Sequence, residues 1–352
     1  MRAGRVLFVA LTSITTVAIG TAACVGVGYY LILSAPPDVD AQCQHSPGQA
    51  RIDACTAVIR AETSPTADLS WAHVSRGNAY TELGQYRRAL DDYNAALLQV
   101  PDSSAAHNNR GYAYYMLGQD RRALTEYDMA LKLQPGDVTA LRNRGTITCF
   151  LGQCALAVKD FDAALRLSPH DATALYGRGR VYIRLGQYDS AIRDFDAALR
   201  LEPKALQILA SRGTAYGEAG QYQRAIADLD VAVGNLPDAD NLNSRCWARA
   251  VWGHELDAAL ADCNRALKLQ PDSFAAIDSR ALVYFRMGNY AAAIADAHAA
   301  LGEAPALANS LYVLGLSRLR TGDQRNGKAD IAEAKKRDPN IERTYAGYGV
   351  KP

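Results

Sequence analysis

The chain has 352 residues, and its 38 Lys and Arg side chains nearly balance its 37 Asp and Glu side chains. The net charge of +1 at pH 7 excludes the strongly basic surface on which sequence-independent nucleic-acid binding depends. We therefore expect no nucleic-acid partner. The function has to be inferred from the spacing of residues along the chain.

The first 33 residues are typical of a membrane segment. Arg2 and Arg5 lie in residues 1–5, and residues 6–33 contain no charged side chain. At a helical rise of about 1.5 Å, this run would span roughly 42 Å, more than the hydrocarbon core of a bilayer requires. Cationic residues before such a run stay in the cytoplasm. The sequence thus predicts a cytoplasmic N-terminus (1–5) and a single-pass transmembrane signal-anchor (6–33) in a bacterial inner membrane, with the body of the chain in the periplasm.

A cleavable signal peptide is the alternative for residues 6–33. Its apolar core is usually about 7–15 residues long and ends in small residues such as Thr21-Ala22-Ala23. The apolar run continues to Leu33, which favours the anchor. With cleavage, the body would instead be periplasmic or secreted.

Two short segments precede the main body. Residues 34–48 are rich in Pro, Asp, Gln and Ser and predict a linker. In residues 49–69, the run from Ile52 to Ile59 resembles that from Leu90 to Leu97, with Cys55 at the position of Tyr93. We expect this region to be a degenerate helix that caps the N-terminal end of the body.

The body, residues 70–341, has a strict period of 34 residues. In each period an amphipathic run ends at a turn, most often Gly-Gln, and a second amphipathic run ends near a proline. This pattern predicts helix, turn, helix. The prolines that mark the period are Pro101, Pro135, Pro169, Pro203, Pro237, Pro271, Pro305 and Pro339.

The period and its small and aromatic residues, such as Gly179, Ala191, Phe195 and Pro203, resemble the tetratricopeptide repeat family. The resemblance implies an all-α protein, a right-handed α-solenoid with a concave and a convex face. Units one to eight are residues 70–103, 104–137, 138–171, 172–205, 206–239, 240–273, 274–307 and 308–341, and residues 342–352 form a C-terminal tail.

One pair of charges recurs with the period. An arginine precedes the first-helix glycine where the family usually has Leu, and only Cys246 and Leu314 depart from this rule. Because an arginine so close to the core needs a partner, we predict an Arg–Asp ladder within or between adjacent units. The arginines are Arg76, Arg110, Arg144, Arg178, Arg212 and Arg280, and the acids are Asp92, Glu126, Asp160, Asp194, Asp228, Asp262, Asp296 and Asp330.

Six cysteines follow the predicted membrane segment. In an oxidising compartment we expect three local disulfides, because distant cysteines lie too far apart along a stack of helices. The alternative is that these cysteines are buried apolar thiols. The predicted pairs are Cys43 with Cys55, Cys246 with Cys263 and Cys149 with Cys154.

The sequence contains no recognisable catalytic signature. The histidines form no zinc-ligand pattern, and the glycines form no phosphate-binding loop. We therefore expect a protein that is not an enzyme and that binds no metal or cofactor.

The concave groove remains as the candidate site, and we expect its inner wall to be open to a partner. The family's chaperone-binding carboxylate clamp is not expected, because Val74, Thr139 and Asn143 stand where it needs cations, although Asn78 and Asn109 match. The groove residues that the resemblance implies are Tyr112, Tyr115, Arg142, Phe150, Tyr176, Arg180, Arg184, Trp252, Phe285, Arg286, Tyr312 and Arg320.

The sequence thus predicts a membrane-anchored scaffold or adaptor that binds a peptide or a protein surface in its groove, outside the cytoplasm. The alternative is a noncatalytic targeting or regulatory subunit of a cell-envelope enzyme.

Overall fold

The computed structural model describes residues 38–61 and 68–351. The predicted anchor, residues 6–33, lies outside this part of the chain. All the regular structure of the described residues is helical. None of these helices combines the length and the apolar character that crossing a bilayer requires.

Each of the eight units folds as two antiparallel helices, as the period predicts. The first helices are α3 (Ser70–Glu82), α5 (Ser104–Met116), α7 (Val138–Phe150), α9 (Ala172–Arg184), α11 (Leu206–Glu218), α13 (Ala239–Trp252), α15 (Phe274–Arg286) and α17 (Ala308–Arg320). The second helices are α4 (Tyr86–Gln99), α6 (Asp120–Leu133), α8 (Cys154–Leu167), α10 (Tyr188–Leu201), α12 (Tyr222–Asn235), α14 (Leu256–Leu269), α16 (Tyr290–Glu303) and α18 (Gln324–Arg337).

Two short helices precede unit one. The cap α2 (Gly48–Ala61) agrees with the predicted degenerate helix, but α1 (Val39–His45) lies where the sequence predicted a linker. The Asp38 side chain caps α1 by accepting from the Ala41 amide, a local signal that a polar segment conceals. Together α1 and α2 pack on α3 and cover the first unit.

The units stack in one direction. Each second helix packs against the first helix of the next unit, and first helices of consecutive units also contact one another. Second helices of consecutive units make no such contact within the described residues. The layer of first helices is therefore the inner, tighter layer of the solenoid, and it lines the groove.

A glycine and an aromatic ring join the two helices of units one to four. A Cβ atom on Gly179 would lie 2.5 Å from the Phe195 ring, so only glycine permits this approach. Phe195 is fully buried, and the same relation joins Gly77 to Tyr93 sixteen residues later. This contact fixes how closely α9 and α10 pack.

The predicted Arg–Asp ladder is confirmed. Arg178 donates from Nε and Nη2 to both oxygens of Asp194, at 2.8 and 2.7 Å, within its own unit. Its Nη1 donates at 2.6 Å to Asp162 on the second helix of the preceding unit. Each such guanidinium therefore joins three helices and two units. Arg76, Arg144, Arg212 and Arg280 bind in the same way, with Thr56, Asp128, Asp196 and Asn264 as the acceptors from the preceding helix.

Unit six keeps the period but shifts its first helix by one residue. The loop between Asn235 and Ala239 is one residue shorter than its counterparts. The turn after α13 compensates, since Gly253 takes the left-handed conformation one residue early and Glu255 adds a second residue with positive φ, 52°. The ladder arginine here is therefore Arg245, bound to Asp262 at 2.6 and 2.8 Å, and not the residue in register, Cys246.

The shift explains one disulfide. Cys246 takes the place of the first-helix glycine and Cys263 that of the aromatic residue, so a covalent bond replaces the usual packing contact. Cys43 and Cys55 join α1 to α2, and Cys149 and Cys154 join across the turn of unit three. The three predicted pairings are thus confirmed.

The ladder can be tested at Arg178. Replacement by Ala leaves Asp194 buried without its cation, so Arg178→Ala is expected to lower the free energy of unfolding by about 2–4 kcal/mol. The measurement is chemical denaturation followed by circular dichroism. The matched control is Arg200→Ala, which removes an exposed arginine of α10 and should change stability by less than about 0.5 kcal/mol. Equal effects of the two substitutions would contradict a structural role for the ladder.

Candidate functional site

The C-terminal half of the groove is occupied by the chain itself. After unit eight, residues 341–351, here named the C-terminal segment, form α19 (Ile341–Gly347) and then turn at Gly349, whose φ is +74°. The Val350 amide donates to the Tyr345 carbonyl at 2.9 Å, which closes this turn. The segment contacts first helices of units six, seven and eight.

Three apolar side chains hold the segment in the groove. Tyr345 is fully buried, and its ring centroid lies 4.8 Å from that of Tyr312. Tyr348 meets the ring of Trp247 edge to face at 6.2 Å. Val350 is 4% exposed and belongs to the same apolar cluster.

Two arginines hold the backbone of the segment. Arg286 donates from Nη2 to the carbonyls of Tyr348 and Val251, the latter at 2.8 Å. Arg320 donates to the Lys351 carbonyl at 3.1 Å. Both arginines were expected to meet a partner, and here they meet the chain's own backbone.

The expected open inner wall is therefore wrong for the C-terminal units. Tyr312 is fully buried and Phe285 is 9% exposed, so these two predicted groove residues offer no free surface. Arg286 and Arg320 are engaged by the segment. A polar, glycine-containing tail carries no periodic signal, so its place in the groove could not be predicted.

Trp247 is the groove residue that sequence reasoning missed. In strict register it stands at the small-residue position, but the one-residue shift of α13 turns it towards the segment. Trp252, the predicted residue, is the last residue of α13, and its ring centroid lies 4.5 Å from that of His254. The early Gly253 and the capping Asp238 directly after Pro237 were the available signals.

The N-terminal half of the groove is open as far as the described residues are concerned, and an asparagine network forms its floor. Asn143 donates to Asn108 at 3.0 Å, Asn108 to Asn109 at 3.2 Å, and Asn109 to Asn78 at 2.8 Å. Tyr93 also donates to Asn78, at 2.8 Å. The amides are therefore held in fixed orientations across units one to three.

A cavity of about 400 Å³ lies over this network. Tyr112 forms part of its wall, together with Thr139 and Arg51, and Arg51 is held by Glu82 at 2.8 Å. Within the described lining, the only cation is this paired arginine, so the cavity is polar without a strong positive charge. The arrangement suits hydrogen bonding to amide groups better than capture of a carboxylate.

The other predicted residues of the open half form its wall. Tyr112 and Tyr115 lie with their ring centroids 6.5 Å apart, and Phe150 is 60% exposed. Arg142 is paired with Asp171 at 3.0 Å. Tyr176 is half-buried against Phe195, the exposed Arg180 lies 5.7 Å from the Tyr176 ring centroid, and Arg184 donates to the Cys149 carbonyl at 3.3 Å.

A buried carboxyl group lies under the C-terminal segment. Asp278 is buried and accepts a hydrogen bond from the Ser310 hydroxyl. Burial raises the pKa of Asp278 to about 6, and the hydrogen bond from Ser310 opposes this shift only in part. Burial, together with the nearby Asp278, also raises the pKa of Tyr345.

Family models for the tetratricopeptide repeat match residues 74–138, 177–240 and 279–339, and a second such model matches residues 137–204. The matches cover more than half of the chain. The chain belongs to the tetratricopeptide repeat family. The unmatched stretch, residues 241–278, corresponds closely to unit six, where the structure shows the shifted helix.

Solved structures share the fold of this tetratricopeptide repeat protein. A chain of the APC/C hetero-tetramer Cut9-Hcn1 is 15% identical with a TM-score of 0.60, covering 85% of this chain and 58% of that one. PilW, a type IV pilus biogenesis factor, is 21% identical with a TM-score of 0.55, covering 60% and 97%. PilF of Pseudomonas aeruginosa is 20% identical with a TM-score of 0.52, covering 59% and 94%. A search of curated protein sequences found no match.

The tetratricopeptide fold is in general a noncatalytic scaffold for protein–protein interaction, and the matching families include no catalytic one. The fold alone does not name the partner. The kind of partner therefore has to be inferred from the geometry of the two halves of the groove.

The buried carboxyl group predicts a pH dependence of stability. Because the pKa of Asp278 is higher in the folded chain than in the unfolded chain, this group binds a proton more tightly when folded. Stability from this source is present below about pH 4 and is lost as the pH rises through about 6. Asp278→Asn should therefore stabilise the chain at pH 7.5 by about 1–3 kcal/mol and have little effect near pH 4.

The measurement is thermal unfolding of both chains between pH 4 and pH 8. Asp272→Asn, which changes an exposed carboxylate in the loop before α15, is the control and should leave the profile unchanged. A destabilising effect of Asp278→Asn at pH 7.5 would contradict the assignment.

Proposed function

We propose that this protein is an interaction scaffold that binds an extended peptide segment over the asparagine network of units one to three. The observation that carries the proposal is the oriented network of Asn78, Asn108, Asn109 and Asn143 beneath an open cavity. An asparagine side chain carries a donor and an acceptor, as a peptide group does.

The spacing of the network fits an extended chain. Packed helices lie roughly 8–10 Å apart, and an extended peptide rises about 3.3 Å per residue. One unit therefore corresponds to about three peptide residues, and the three units to a segment of roughly six to nine. Tyr112, Tyr115 and Phe150 form the adjoining wall, and aromatic residues are frequent anchors at binding surfaces.

Unpaired hydrogen-bonding capacity supports a polar ligand. The Asn78 oxygen accepts from both Tyr93 and Asn109, while its own Nδ2 group has no partner among the described residues. At the other end of the network, the Asn143 oxygen accepts from no described residue. A peptide backbone can meet both groups at once.

The proposal is tested by selecting displayed peptides on the full chain and measuring the affinity of a selected peptide by calorimetry. Asn109→Ala removes the central link of the network and is expected to weaken binding at least tenfold, or about 1.4 kcal/mol. Tyr112→Ala should have an effect of similar size. Arg200→Ala, on the outer layer, should leave the affinity unchanged. A selected peptide that binds equally well to all three variants would contradict the groove assignment.

We also infer that the repeat body lies outside the cytoplasm, attached through residues 6–33. The three disulfides support this inference, because disulfides persist in oxidising compartments and are rare in the cytosol. The apolar run after Arg2 and Arg5 supports the same orientation.

A location outside the cytoplasm predicts that the six cysteines are disulfide-bonded and therefore do not react with a maleimide. Intact cells that produce the full chain are quenched with acid, and the protein is treated under denaturing conditions with a bulky maleimide. Cys43, Cys55, Cys149, Cys154, Cys246 and Cys263 should react only after reduction. Reaction of all six without reduction would contradict an oxidising compartment. Sequencing of the mature N-terminus then distinguishes an anchor from a cleaved signal peptide.

A further inference from the structure

The C-terminal half of the groove contains pockets for particular side chains. Tyr345 fills a site between Tyr312 and the Asp278 region, and Tyr348 packs on Trp247. Val350 follows two residues later in the same apolar cluster. The occupying pattern is thus aromatic, two residues, aromatic, one residue, aliphatic.

The pockets are formed by residues that are far apart in sequence but lie on consecutive units of the solenoid. Trp247 comes from unit six, Asp278 and Arg286 from unit seven, and Tyr312 from unit eight. Tyr222 of unit five packs against the same apolar cluster as Tyr348, so the site also includes unit five. A surface that extends over four units contacts several side chains of a ligand and can therefore be specific for them. The two arginines bind backbone carbonyls, which every peptide sequence has.

The segment fits this surface imperfectly. The hydroxyl groups of Tyr312 and Tyr345 and the Nε group of Arg286 are buried, and none has a hydrogen-bond partner among the described residues. A buried polar group that has lost its hydration and has no hydrogen-bond partner is destabilising. Two of these groups, the Tyr312 hydroxyl and the Arg286 Nε group, belong to the groove, and a ligand that satisfies them would bind better than the segment does.

The segment is a terminal element, and only some of its residues hold it in the groove. It follows the last unit as a seven-residue helix, which is too short to be stable by itself. Residues 342–344, 346, 347 and 349 are exposed, so the apolar contacts of the segment come from Ile341, Tyr345, Tyr348 and Val350. Release would leave the eight units and their ladder intact, and a local opening of this kind is common for terminal elements.

We propose that the groove over units five to eight binds a partner protein segment with two tyrosine or phenylalanine residues three positions apart and an aliphatic residue two positions later. The chain's own C-terminal segment occupies this site in cis and competes with the partner. The site is distinct from the asparagine network, and this inference does not depend on the function proposed for units one to three.

The test uses the full chain and a fluorescein-labelled synthetic peptide, ERTYAGYGVKP, which has the sequence of residues 342–352. In cis the segment has an effective concentration near the millimolar range, so the unmodified chain should bind the peptide weakly. The double variant Tyr345→Ala, Tyr348→Ala vacates the pockets and should bind the peptide at least tenfold more tightly. The matched control, Thr344→Ala, changes an exposed residue of the same helix and should behave like the unmodified chain.

The specificity control is the same peptide with both tyrosines replaced by alanine, which should not bind. Failure of the double variant to bind the tyrosine peptide, or equal binding of the two peptides, would overturn the proposal.

Hydrogen exchange on the unmodified chain provides a test that does not depend on the stability of a variant. The Val350 amide, bonded to the Tyr345 carbonyl, should exchange much faster than the amides in the middle of α15 and α17, because the segment opens locally. Exchange of this amide only at the rate of global unfolding would show that the segment is a fixed part of the fold, and would also overturn the proposal.

Discussion

The guanidinium groups of the ladder are the constraint on which the solenoid depends. A stack of helix pairs has no contacts beyond neighbouring units, so each interface between units has to supply its own cohesion and its own register. Apolar packing supplies cohesion but is tolerant of sliding, whereas a bidentate Arg–carboxylate pair has one geometry. Arg178 binds Asp194 in its own unit and Asp162 in the preceding unit, and it thereby sets the distance and the angle between the two units.

Two units lack an arginine at the ladder position, and in each of them another arginine of the first helix binds the acid. In unit eight Leu314 takes the arginine position, and Arg318, one helical turn later, donates to Asp330 at 2.6 Å. In unit six Arg245 and Arg249 both bind Asp262. The acid is thus paired in each unit by an arginine from the same face of the first helix. At the N-terminal end, Arg76 donates to Thr56, which attaches the cap to the ladder.

Periodicity made most of the fold predictable, because every unit repeats the same pattern of helix, turn and interface residues. The helix bounds, the packing of Gly179 on Phe195 and the ion pairs follow from residues that recur at fixed spacing. The three disulfides follow from cysteines that lie close together on neighbouring antiparallel helices. What breaks the period could not be predicted in the same way. The site on Trp247 depends on a shift that leaves the count of 34 unchanged, and the place of Tyr345 depends on contacts with residues that lie up to two units away in sequence.

The compensated shift of α13 has a consequence for exchanging parts of this chain. One residue of displacement turns a helix by about 100°, so the side chains that face inward in unit six differ from those in every other unit. If α13 were exchanged with the first helix of another unit, the wrong side chains would face the groove unless both flanking connections were moved as well. These connections are the shortened loop that ends at Asp238 and the turn from Gly253 to Glu255. The modular boundaries of this protein therefore lie at those two connections, and the 34-residue interval alone does not locate them.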